Sequence, residues 1–87
     1  MTRAERKQFF AASGLKRKDN RRLIRAVLLH EGETEASIAR KLGLTSQAVC
    51  RVLAGLAHTP LILQALRDAG VPEKYIFDPR LELDNAE

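Results

Sequence analysis

At 87 residues and 9.7 kDa the chain has room for one small core, which excludes a large cleft enzyme, a nucleotide-binding sheet and a membrane channel. A net charge of +4 and a pI near 9.7 favour a polyanionic partner, and the charge is segregated: residues 1–58 carry twelve Lys/Arg against five Asp/Glu, residues 59–87 three against six. The single cysteine, Cys50, allows no intrachain disulfide, no metal-ligand spacing involves it, His30 or His58, and neither a bilayer span of about 20 apolar residues nor a signal core is visible, so a soluble cytoplasmic chain is expected.

In chain order, Thr2 and Glu5 have capping-box spacing, which predicts a helix from Arg3 to Ser13 that stops at Gly14. Lys16, Arg17 and Lys18 then form a basic connector, and Asp19 is the expected N-cap of a helix whose Leu23, Ile24, Val27 and Leu28 share one face, ending at Gly32. Thr34 caps a short helix with the apolar stripe Ile38, Ala39 and Leu42, closed by Gly43. Thr45 caps the next, with Val49, Val52 and Leu53 inward and Gly55 as its stop. Thr59 and Pro60 open a further helix with Leu61, Ile62, Ala65, Leu66 and Ala69 on its core face, ending at Gly70. Pro72 starts one more short turn through Phe77, and Leu81 and Leu83 alternate with charged residues in a tail with the pattern of a short strand or a frayed end. The fold class is therefore all-α, a compact bundle of about five short helices with an extra N-terminal helix. Its expected divisions are 1–18 for the leading helix and connector, 19–78 for the main domain and 79–87 for the tail.

Function concentrates between Glu35 and Gly55, where two short helices are separated only by Gly43, Leu44 and Thr45. This is the pattern of a helix-turn-helix. Ala39 is small enough for the helices to cross closely, Gly43 permits a positive φ at the turn, Leu44 is placed to fill the angle, and Val49 and Val52 anchor the second helix. Its outward face then carries Ser46, Gln47, Cys50 and Arg51. Gln47 and Arg51 stand one turn apart, and glutamine to adenine and arginine to guanine are the natural bidentate pairings in the major groove. The basic residues Lys16, Arg17, Lys18, Arg21 and Arg22 are candidates for phosphate contact or a minor-groove arm, against the plainer role of a solvated face.

From Arg21 to Phe77 the sequence resembles the lambda-repressor-like, Cro-type and Ner-like helix-turn-helix regulators of bacteria and phages. The residues that carry the resemblance are Ala39, Gly43, Thr45 and Val49, the glycine at Gly55, and Thr59-Pro60 opening a helix that ends in Ala69-Gly70-Val71-Pro72. The resemblance implies that the helix from Ser46 to Ala54 enters the major groove, with Thr45, Ser46, Gln47 and Arg51 facing DNA. It departs at Glu35, where the family often has a phosphate-contacting glutamine, and at Cys50, where a serine, asparagine or glycine is common.

Together these features predict a sequence-specific double-stranded DNA-binding regulator, a phage-type repressor that occupies paired half-sites as a homodimer, with no catalysis, cofactor, metal or small-molecule ligand. Two rival functions use the same fold: an antitoxin that binds a toxin and its own operator, and an architectural or recombination factor that bends DNA. Tyr75, Ile76, Phe77, Leu81 and Leu83 are the expected dimer contacts, with Phe9 and Phe10 as the competing patch. His30 and His58 read as helix-end and loop residues, Glu31, Glu33 and Glu35 as a solvated acidic turn, and Cys50 as an inert small residue.

Overall fold

The Thr2 hydroxyl accepts the Glu5 backbone N–H at 3.2 Å and starts α1, Arg3–Asp19, which is longer than its sequence suggests. The structure is a computed structural model and describes residues 2–79 of the chain. Five further helices follow among those residues: α2 Arg21–His30, α3 Glu35–Leu42, α4 Ser46–Leu53, α5 Pro60–Asp68 and α6 Glu73–Ile76. No strand occurs among them, and none of the described helices is long and apolar enough to cross a membrane.

Gly14, expected as a stop, lies inside α1, and Lys16 to Lys18 form its last turn rather than a connector. The physical reason is packing. A Cβ on Gly14 would lie 2.4 Å from the carbonyl oxygen of Gly55, so the two glycines let α1 cross the end of α4 backbone to backbone. The basic last turn suits the negative end of the helix dipole. Asp19, the expected cap of α2, is instead the last residue of α1. Asn20 is the junction, its backbone N–H donating to Lys16 and Arg17 carbonyls at 3.3 and 3.0 Å.

The core draws on every helix after α1. Ile24 and Leu28 from α2, Ile38 and Ala39 from α3, Val49, Val52 and Leu53 from α4, and Ile62, Leu63 and Leu66 from α5 are buried together with Val71 and Ile76. Two expected core positions face outward: Leu23 and Leu61 are 44% and 53% exposed. On α5 the phase is set by Ile62, Leu63 and Leu66, so Leu63 takes the place assigned to Leu61. Arg67 ties α5 to the chain beyond it, its guanidinium donating to both Glu73 carboxylate oxygens at 2.7 and 2.9 Å and to Asp78 at 2.7 Å. These bonds hold the Arg67 pKa well above its ordinary value.

That closure changes the role of the expected dimer face. Ile76 is completely buried in the core, Tyr75 packs partly against it, and Phe77 is half-buried with the Lys16 ammonium 5.6 Å from its ring centroid. Ile76 is therefore a core residue and not a surface contact. Leu81 and Leu83 lie outside the described residues.

Candidate nucleic-acid interface

The turn between α3 and α4 forms as its residues require. Gly43 adopts φ 70°, the left-handed conformation that costs glycine nothing, and the Leu44 N–H reaches back to the Ala39 carbonyl at 2.8 Å in the six-to-one bond of a Schellman turn. Thr34 and Ser37 form a reciprocal capping box at the start of α3. The Thr45 hydroxyl accepts the Ala48 N–H at 3.1 Å and starts α4. Leu44 remains 38% exposed, while Ile38 and Ala39 of α3 and Val49 and Val52 of α4 are buried in one cluster.

Because Val49, Val52 and Leu53 are fully buried, helical geometry leaves Ser46, Gln47 and Arg51 on the outer face of α4. All three are exposed and, among the described residues, none has a side-chain hydrogen bond or ion pair. Thr45 is also exposed. Cys50 is half-buried beside them, and its sulfur accepts an N–H from the Arg21 Nη2 at 2.9 Å.

Arg21 thus leans from the start of α2 onto α4, next to exposed Arg22. One turn later on the same face, Arg25 donates its Nε to the Glu35 Oε1 at 2.5 Å, and the Arg21 Nη2 lies 4.0 Å from that oxygen. The bond to Glu35 raises the Arg25 pKa above its ordinary value. Lys16 and Lys18 are exposed on the last turn of α1. Sequence reasoning passed over Arg25. The available signal was its i, i+4 spacing from Arg21, which places both on one face of α2.

Two sequence expectations are corrected here. Arg17, placed among the phosphate contacts, has no exposed surface at all. Its Nε donates to the Val52 carbonyl at 2.7 Å, its Nη2 to the Ala57 carbonyl at 2.7 Å, and its Nη1 to the Ile76 carbonyl at 3.2 Å. The Val52 and Ile76 carbonyls belong to the last turns of α4 and α6, where helix acceptors accumulate and the dipole is negative, and the Val52 carbonyl also accepts the Gly55 N–H at 3.1 Å, so a buried cation is stabilised there. The same Nη2 lies 2.9 Å from the His58 Nδ1, which serves as acceptor on a neutral ring. Burial first, and the Arg17 charge second, push the His58 pKa below its usual value.

Nor are the acidic residues before α3 simply solvated. Glu33 and Glu35 are each only 17% exposed at the side chain. Glu33 receives the Lys41 ammonium and the Ser37 hydroxyl, which lower its pKa in that order, whereas Glu31 remains at the surface near His30. No family model matches the chain, and no curated protein or solved structure matches it significantly.

Proposed function

We propose that this chain is a sequence-specific double-stranded DNA-binding transcriptional regulator, a helix-turn-helix repressor of phage type that sets α4 in the major groove. The observation that carries the proposal is the division of α4: three fully buried anchors on one side, and exposed Ser46, Gln47 and Arg51 on the other. A rigidly anchored helix with a bidentate donor and a bidentate amide one turn apart is suited to reading base edges. Arg21, which touches Cys50, and its neighbours Lys18 and Arg22 supply positive charge for phosphates, Lys16 over the Phe77 ring is a further candidate, and Thr45 stands at the leading end of α4. Arg17 has no part in this surface.

One such helix reads only a few base pairs, so the proposal includes a homodimer on two half-sites about one helical turn apart. Binding itself is the mechanism: a dimer seated on a promoter excludes competing proteins. Selection from random duplex DNA, followed by footprinting and by sedimentation equilibrium of the full chain, tests each part. Enrichment of a two-fold symmetric motif is the expected result. Binding of all duplexes with equal affinity would defeat sequence recognition, and a monomer on a single short site would defeat the paired arrangement.

A further inference from the structure

The α2, α3 and α4 junction contains a carboxylate where a DNA-binding surface would gain from having none. Glu35 is the first residue of α3, and its Oε1 takes a 2.5 Å bond from Arg25 and lies 4.0 Å from Arg21. Arg21 in turn touches Cys50, so the cluster borders α4 directly. Arg25 remains 52% exposed at its side chain and Arg21 30%, whereas Glu35 is 17% exposed. The carboxylate is therefore the most enclosed of the three groups, and of the two arginines Arg25 has the more exposed side chain, while the Arg21 Nε is itself buried.

We propose that Glu35 is an internal counter-ion that competes with a DNA phosphate for the guanidinium group of Arg25, the arginine it bonds at 2.5 Å. This inference rests on the DNA-binding proposal and adds a residue that sets affinity. With Glu35 ionised, the Arg25 pair is neutral overall and releases no condensed cation when it approaches the duplex. Each phosphate that a protein cation does neutralise releases about 0.9 counterion. Glu35 thereby subtracts one contact from the sequence-independent part of binding, leaving a larger share of the affinity to the base-reading face of α4.

A neighbouring pair supports the assignment by contrast. Glu33, two residues earlier, also holds a cation, but that cation is Lys41 on α3 itself, and the pair serves the helix that carries it. Glu35 instead draws on arginines of a different helix, beside the exposed face of α4.

The test measures fluorescence anisotropy of the full-length chain with a labelled mixed-sequence duplex across a sodium chloride series. Glu35→Gln keeps the shape and removes the charge. It should tighten Kd roughly eightfold at 0.1 M salt and steepen the slope of log K against log salt by about 0.9, the value of one added phosphate contact. Arg25→Gln in the wild-type background should leave that slope unchanged, and Glu35→Gln combined with Arg25→Gln should lose the gain. Helical content by circular dichroism verifies that each variant is folded. If Glu35→Gln leaves Kd and slope unchanged, or if Arg25→Gln alone flattens the slope by about 0.9, the counter-ion role is overturned while DNA binding stands. Should neither wild type nor Glu35→Gln bind any duplex, the DNA-binding proposal falls and takes this one with it. The Arg25→Gln arm keeps the question decidable even if Glu35→Gln fails to fold.

Discussion

Arg17→Met removes a charge from a site with no exposed surface while keeping most of the side chain's bulk, and its effect follows from what stays behind. The acceptors on Arg17 include three backbone carbonyls, those of Val52, Ala57 and Ile76, and a backbone acceptor cannot be mutated away with its partner. Hydrogen bonds to a charged group contribute about 1.5 to 3 kcal/mol each. Against their sum stands the relief of not desolvating a guanidinium, itself several kcal/mol. Removing one partner of such a buried arrangement costs about 3 to 5 kcal/mol, a large part of the roughly 4 to 13 kcal/mol that a domain of this length possesses. Urea unfolding followed by circular dichroism, with a slope of about 1 to 1.5 kcal/mol per molar, should show the midpoint falling by roughly 2 to 5 M. Arg17→Lys keeps the charge but loses the planar fork, so it should fall between the two and remain measurable if Arg17→Met is unfolded. A loss below about 1 kcal/mol for Arg17→Met, at unchanged slope, would refute the shared capping of α4 and α6 by one cation.

Gly14→Ala should destabilise the fold by about 1 to 3 kcal/mol despite a helix-propensity gain of about 1 kcal/mol, because the new methyl would sit 2.4 Å from the Gly55 carbonyl oxygen; a raised melting temperature would contradict that contact. His58 is held neutral in the folded chain with its pKa lowered, so the unfolded chain binds more protons below about pH 6.5, and stability present above that pH declines as pH falls through the folded value. Urea midpoints between pH 7.5 and 5 should therefore drop more for wild type than for His58→Asn, and parallel curves would exclude the effect. Arg51→Ala should relax base preference at one position per half-site and cost about 1 to 3 kcal/mol on the best site, whereas an equal loss on every sequence would reassign Arg51 to phosphate. Replacing Lys16 and Lys18 by alanine should flatten the salt slope by up to about 1.8 with specificity retained, and an unchanged slope would leave both as solvated residues.

The amino-acid sequence by itself determined the local structure wherever a cap, a glycine turn and a helical apolar stripe agreed. Thr34, Gly43, Thr45, Val49 and Val52 specify α3, the turn and α4 within about twenty residues, and the outward position of Gln47 and Arg51 follows from helical phase alone. Long-range choices were not legible in the same way. Lys16, Arg17 and Lys18 are chemically alike in sequence, and only the Gly14–Gly55 crossing, which lets α1 run past its expected stop, turns Arg17 inward and its neighbours outward. Gly14 shows why: a glycine that ends a helix and a glycine that admits another backbone are the same residue until the partner is known. Ile76 and Leu61 were misplaced for a related reason, since a short apolar segment has several faces it can bury, and the position of the neighbouring helices selects one. Glu35 and Arg25 are ten residues apart across a turn, and the charge pattern along the chain records only their signs. Their pairing was decided by the fold that brings α2 and the start of α3 together, with Ile24, Leu28 and Ile38 buried in the same core.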